Sequence, residues 1–464
     1  MKRFLTILFF FILAHNAIGQ EMFYALNQPP QGVSPDAFVT KWVIPSNSYT
    51  LSIPFTTTGN NFTIDWGDGA TETVNTSTTK THTYTTSGTY TVAITGTCPS
   101  VNLIGQTSLT DITQWGSIGC TTFTTSTSGL DTISAISSNI FFNSVTSLSG
   151  AFNATSLNTI PSGLLNSAAL VTNFDNIFKG TKLTTIPSTL FDYCISATTF
   201  NGAFFSCTSL TSIPSGLFNH TKNVTIFQQL FRSCTSLVGS IPAGLFDSCK
   251  KVTDFSYAFL GCPLSGAIPT GLFKYNSKVT TFANTFNGCS GLTSIPASLF
   301  DSSVLVTTFS STFTGCSGVT SIPTGLFNFC TKVTTFSSTF SGCSGVTSIP
   351  SGLFDSSSLV TTFSSTFNGC SGVTSIPSGL FDNNIQAADF SFTFKMSSSI
   401  TSIPSGLFDH NTAVTTFQQT FYQCTAVTSA VPTLWISYPS VTHSFCFFSC
   451  TSASNYPSIP TDWK

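Results

Sequence analysis

The sequence predicts a repeat solenoid, a right-handed coil of ~27-residue repeats in which each turn joins a short parallel strand to a helical turn, preceded by a small all-β sandwich. Three observations predict it: an Ile-Pro dipeptide that recurs at near-constant spacing from Pro161 onward, columns of Phe at fixed distances from each Pro, and alternation of apolar and polar residues between Tyr49 and Gly96.

In chain order, "MKRFLTILFFFILAHNAIGQ" combines a basic start, an apolar run from Phe4 to Ala14 and small residues near Ile18 and Gly19, the pattern of a secretory signal peptide over 1–20. A lead-in over 21–48 follows. No later apolar stretch reaches the ~18 residues that a spanning helix needs, and no Cys stands after the signal to accept a lipid. The expectation is a secreted or cell-surface protein with the signal removed and no membrane span.

Of the 464 residues 41% are hydrophobic, ample for a core, whereas 7% are charged and the formal net charge is -2. Fifteen Lys and Arg spread along such a chain build no polyanion-binding face, which excludes nucleic acid as a partner. Solubility then rests on hydroxyls and amides.

Over 49–97, "NFTIDW", "THTYT" and "TYTVAI" alternate as short antiparallel strands do, with Asp68-Gly69 and Ser87-Gly88 as turn signals. "IDWGDG" from Ile64 to Gly69, followed by "HTYTTSGTYTV", resembles the PKD domain, which implies an immunoglobulin-like module serving as spacer or cap. Asp65 and Asp68 suit a cation, but turn-forming carboxylates are the simpler account. Capping coils over 98–158 lead into the repeats.

The regular solenoid spans 159–430. Ile-Pro recurs at Pro161, Pro187, Pro214, Pro242, Pro269, Pro296, Pro323, Pro350, Pro377 and Pro404, with Pro432 and Pro460 closing the series in a C-terminal capping coil over 431–464. Counted from each Pro, positions +13 and +17 are Phe in all ten repeats, and +4 is Phe in all but the first, where Leu165 stands. No coil buries its rings without its neighbours, so the repetition makes one continuous core. Within a coil the steps Val360, Phe363 and Phe367 (i, i+3, i+7) predict a helical turn, while "GVTSI" is β-branched and predicts the strand. Strand on one side and helical turn on the other is a leucine-rich-repeat-like plan.

The 15 Cys fall mainly in columns. Cys207, Cys262, Cys289, Cys316, Cys343 and Cys370 lie seven residues before a Pro, and Cys194, Cys249 and Cys330 at +7. Ala154, Gly180 and Ser397 replace Cys in the first column one at a time, as a buried packing position tolerates and a disulfide does not, so buried thiols are expected. Asp192, Asp247, Asp301, Asp355, Asp382 and Asp409 share column +5 and read as turn caps, with a cation row as the alternative. Thr281, Thr308, Thr335 and Thr362 at +12, with Thr285, Thr312, Thr339 and Thr366 at +16, form hydroxyl rows that keep ice binding on the list. His82, His220, His410 and His443 show no nucleophilic or metal-ligand spacing, so no catalytic, metal or cofactor site is assigned.

"FSSTFNGCSGVTSIPSGLFDSSSLVTTF" and its copies resemble the BspA-like leucine-rich repeat family of exported bacterial surface proteins, over about three quarters of the chain, although Phe replaces Met in the core columns. "LTDITQWGSI", Leu109 to Ile118, is similar to the coil that precedes such arrays. The resemblance implies adhesion or surface contact. The expected function is thus non-catalytic binding of a protein or glycan, with self-association as a structural matrix element as the alternative. The contact surface is expected where the repeat is least regular, at His220, Lys222, Gln228, Gln229, Arg232, Lys250, Lys251, Asp254 and Tyr257, because diverse polar groups discriminate partners better than bare hydroxyls.

Overall fold

Alternation of side chains in the N-terminal region produces antiparallel strands, and the 27-residue period produces a stack of coils. The computed structural model describes residues 32–55, 57–125, 129–130, 132–133 and 141–464, so the expected signal peptide lies outside the described residues. Strands β1 (Phe38–Ile44), β2 (Tyr49–Phe55), β3 (Asn61–Asp65), β4 (Thr71–Val74), β5 (Thr78–Tyr84) and β6 (Gly88–Thr97) are followed by β7 (Ser100–Asn102), β8 (Leu109–Gln114), β9 (Thr122–Thr124) and β10 (Thr132–Ile133). One sheet has the order β10-β8-β1-β6-β3-β4, and β2 pairs with β5 in a second. In β3 the alternation buries Phe62 and Ile64 and exposes their neighbours; in β2 it buries Leu51, Ile53 and Phe55. The main sheet starts at Phe38, within the stretch expected as lead-in, and takes in β8, within the stretch expected as capping coils. Gly67 permits the turn after β3: its φ is +80°, and a Cβ there would stand 2.3 Å from the carbonyl oxygen of Thr91.

The module's core runs without interruption into the coils. Phe38 stacks on Phe141 at 5.4 Å, Trp115 meets Phe142 at 5.3 Å, and Phe123 meets Phe152 at 5.7 Å, after which Phe152 stacks on Phe178 at 5.5 Å. These rings close the first coil, which has no preceding coil to cover its core.

Parallel bridges tie twelve successive coils along position +12, from Ser147 through Asn173, Thr199, Ile226, Asp254 and the Thr row to Asp389, Thr416 and Thr442. Behind this ladder the +17 rings stack at 5.4–5.8 Å from Phe152 to Phe447. Each +4 ring wedges at a steep angle against its +13 neighbours, as Phe354 does with Phe336 at 4.6 Å and Phe363 at 4.9 Å. Steps longer than the ~4.8 Å between paired strands mean that the rings are offset, the arrangement their quadrupoles favour.

The coil itself is not the one expected. Helix amounts to 2% and strand to 16%, and the regular coils contain no helical turn, so the strand-plus-helix, leucine-rich-repeat-like plan is overturned. Among the described residues helix is confined to the C-terminal cap, at α1 (Leu434–Ser437) and two short 3₁₀ turns. The reason lies in where the amides point. An α-helix commits every N–H to its own i−4 carbonyl. Here Phe336, Ser338, Phe340 and Gly342 donate to Thr362, Ser364, Thr366 and Asn368 of the next coil at 2.7–3.3 Å, while Thr339, Ser341 and Cys343 donate three residues back. The alternation requires a left-handed residue every fourth position, Ser338 at φ +57° and Gly342 at +71°. Residues at +15 and +19 are left-handed in all ten regular repeats, from Asn176 and Gly180 to Gln419 and Gln423. A chain of such turns repeats every four residues and puts Phe336 and Phe340 on the same side, as a helix would.

The expected strand also sits elsewhere. In the "GVTSI" column only β11 (Gly266–Ala267) and β12 (Leu292–Ser294) pair as strands, and the continuous ladder runs through the "VTTF" segment instead.

Candidate binding surface

The +16 threonines do not form a surface row. Thr285, Thr312, Thr339 and Thr366 are fully buried, and each hydroxyl is shared between the Phe carbonyls of its own and the preceding coil, as Thr339 Oγ1 does with Phe336 at 2.6 Å and Phe309 at 3.0 Å. The +12 threonines are half-buried and accept from the amide two residues on, as Thr335 does from Ser337 at 3.0 Å. An ice-binding lattice built on these two rows has no support.

The Asp row caps turns. Asp355 donates its amide to the Gly352 carbonyl at 3.2 Å, and Asp192 and Asp382 pair with His220 at 3.1 Å and His410 at 3.3 Å. In the N-terminal module Asp65 accepts from the Gly67 amide at 2.8 Å, and Asp68 accepts from Ala70 and pairs with His82 at 2.7 Å. Among the described residues no three His, Cys, Asp or Glu converge as metal ligands.

The nine residues expected to form a contact surface separate into two groups. On the turn after the ladder, Arg232 lies between the rings of Phe205 (5.2 Å) and Tyr257 (5.5 Å) and donates to Gln229 at 3.1 Å. Gln228 donates to Ser256 at 3.3 Å, and Asp254 accepts from the amide and hydroxyl of Ser256, both at 2.6 Å. These side chains mostly satisfy one another. On the turn before the ladder, Lys222, Lys250 and Lys251 converge, with Asp247, Ser248 and Tyr275, on an open cavity of ≈ 510 Å³. Lys250 and Lys274 lie over the Tyr275 ring at 5.2 and 4.6 Å, Lys274 meets Asp247 at 3.6 Å, and Lys251 donates to Asn223 at 2.8 Å. His220 turns to Asp192 instead.

Fifteen basic residues spread along the chain make no polyanion site, but folding brings Lys222, Lys250 and Lys251 to one cavity and Lys250 and Lys274 over its Tyr275 ring. Asp247 and Tyr275 belong to the cavity and escaped the sequence reading. Column +6 carried no signal for Tyr275, since that column holds Tyr193 and Phe329 as well as Ser302 and Ser356. A second missed group, Phe392, Lys395, Met396, Tyr422, Phe445 and Phe448, stands on the turn after the ladder near the C-terminal end. Its signal was bulky residues in the columns that the regular coils fill with Ser, Thr, Gly and Asn.

Among the described residues no helix is long and apolar enough to cross a membrane. No curated protein matches the chain. Among solved structures, a chain of the Toll–Spätzle complex, a molecular hub in Drosophila development and innate immunity, is similar over 60% of this chain at 14% identity and a TM-score of 0.34. The present chain covers 44% of that one, less than half its length. The family described as "Mycoplasma protein of unknown function, DUF285" matches at residues 146–266 and 253–379, together half of the sequence and all within the stack of coils, and the chain belongs to that family.

Proposed function

We propose that this is an exported, non-catalytic binding protein that adheres to an acidic glycan through the lysine-lined edge of its coils. The observation that carries the reading is the convergence of Lys222, Lys250 and Lys251 on a cavity with Tyr275 in its lining and a single carboxylate, Asp247, which Lys274 already engages. Ammonium groups suit carboxylated or sulfated sugars, and the Tyr275 ring holds two of them, Lys250 and Lys274, at this edge. A polynucleotide would need a long basic track to neutralise successive phosphates, and three coils do not supply one. The apolar start of the sequence and the likeness to BspA-like surface proteins support export and adhesion, with the PKD-like module as a spacer.

Affinity chromatography on immobilised polygalacturonate and hyaluronan, with dextran as the neutral control, tests the proposal. The protein is expected to be retained by an acidic resin and released by salt, because exposed charges are screened beyond ~10 Å at 0.1 M. The variant Lys222→Ser/Lys250→Ser/Lys251→Ser is expected to flow through while melting normally. Equal retention of that variant, retention by dextran alone, or preference for DNA or an acidic peptide over both acidic resins would sink the acidic-glycan reading.

A further inference from the structure

The left-handed columns set the terms of this inference. At +15 and +19 the backbone turns through positive φ, a conformation that costs a residue with a side chain roughly 1–2 kcal/mol relative to its preferred one. The regular coils meet this with small residues, Ser311, Ser338 and Ser365 in one column and Gly315, Gly342 and Gly369 in the other. Near the C-terminal end the same columns carry Phe392 (φ +59°), Met396 (+59°) and Phe445 (+57°). Burial does not offset the strain, since Met396 and Phe445 are 49% and 48% exposed. Large apolar groups thus occupy strained positions, two of them facing water, where the regular coils place Ser and Gly.

These residues form a connected surface with column +18. Lys395 lies over the rings of Phe392 at 5.3 Å and Tyr422 at 5.0 Å, Tyr422 stacks on Phe448 at 4.9 Å and 12°, and Phe448 meets Phe445 edge-on at 5.8 Å. The ammonium group of Lys395 is held by the Gln419 side chain at 2.8 Å, and among the described residues it pairs with no carboxylate. Met396 also lines an open cavity of ≈ 380 Å³ together with Gln423, Ser371, Ser398, Thr425 and Gly369.

We infer that this platform is a second carbohydrate site, and that its ligand is a neutral glycan. Flat apolar faces bordered by amides and hydroxyls match the two chemistries of an uncharged sugar, its C–H face and its ring of hydroxyls. An anionic ligand would find one lysine already engaged by two rings and an amide, in contrast to the lysine-lined cavity between residues 222 and 275.

Affinity electrophoresis through native gels containing laminarin, hydroxyethylcellulose or mannan, with polygalacturonate as the charged comparison, tests the inference on the full chain. At least one neutral polysaccharide is expected to lower mobility twofold or more. The variant Phe392→Ser/Met396→Gly/Phe445→Ser is expected to migrate as in a blank gel and to melt at a higher temperature, because strain is relieved while the buried rings stay in place. Lys222→Ser/Lys250→Ser/Lys251→Ser is expected to remain retarded by the neutral polymer, which separates this site from the acidic-glycan reading. The inference is overturned if no neutral polysaccharide retards the protein, if the platform variant is retarded as the unsubstituted chain is, or if sedimentation shows the platform mediating dimerisation in place of glycan binding.

Discussion

The thiol of Cys343 donates to the main-chain carbonyl of Phe313, one coil earlier, at 3.1 Å. Cys289, Cys316, Cys370 and Cys424 make the same bond to Phe259, Phe286, Phe340 and Phe394, and Ser397 makes it with its hydroxyl to Phe367 at 2.9 Å. The column therefore selects a small donor that can be buried, which explains why Ser replaces Cys within it. Ala154 and Gly180, expected in this column, stand one residue earlier at left-handed positions, and the buried hydroxyls of Thr155 and Thr181 take the place. A disulfide would consume the proton that links the coils. All fifteen thiols are free and buried, and burial pushes Cys343 up to about 12.

Alkylation follows from that placement. Iodoacetamide at neutral pH is expected to leave the folded protein unmodified, since every thiol is buried out of its reach. After denaturation without reductant, all fifteen Cys are expected to react. Mass spectrometry finding consecutive coils bridged would contradict the hydrogen-bonding role.

Phe336 sits among four rings, Phe309 at 5.8 Å, Phe363 at 6.0 Å, Phe327 at 4.8 Å and Phe354 at 4.6 Å. Phe336→Ala opens a cavity that three coils share and is expected to cost about 3–5 kcal/mol. Thr335→Ala removes only a half-buried acceptor for the Ser337 amide and is expected to cost about 1 kcal/mol. Urea melts compare the two, and equal midpoints would place Phe336 outside the load of the core.

The ring and thiol columns were legible because every member of a column meets the same neighbours, so packing imposes one residue type on all of them. The backbone between was not. Val360, Phe363 and Phe367 fit a helix and a chain of four-residue turns equally well, and the residues that distinguish them are the small ones, Ser365 and Gly369, four apart at left-handed positions. Thr339 read as a surface hydroxyl because Thr is polar, whereas two Phe carbonyls satisfy it in the core. Irregular coils did mark Lys222, Lys250 and Lys251, but sequence proximity does not say which turn a side chain stands on. Arg232 and Tyr257 therefore came out on the other side of the ladder from the lysine cavity.

The N-terminal module should lose stability in acid through Asp68. Burial pushes this carboxyl up, but the His82 side chain and the Ala70 amide outweigh it and hold it below its ordinary value. A depressed folded-state value contributes stability above the unfolded value and loses it as pH falls through the folded one. Asp68→Asn is therefore expected to lower the melting temperature near about pH 6, an effect that shrinks as the pH falls and the unsubstituted carboxyl is itself protonated. A constant difference across that fall in pH would mean that the pair with His82 acts through packing and not charge.

Positive φ at Ser338 and Gly342 gives two substitutions opposite signs within one turn. Ser338 holds φ +57° with a side chain, so Ser338→Gly relieves left-handed strain, and the gain is expected to be about 0.5–1 kcal/mol after the greater flexibility of Gly in the unfolded chain is set against it. Gly342→Ala introduces that strain at φ +71°. A Cβ there would meet Gly315 at 3.5 Å, an ordinary contact, so the cost is conformational and is expected to be about 1 kcal/mol. A helical turn would reverse both signs, because Gly at an interior helical position is destabilising and Ala is the best residue there. Urea midpoints of the two variants thus discriminate between the backbones, and stabilisation by Gly342→Ala would refute the left-handed turn on which the amide ladder between coils depends.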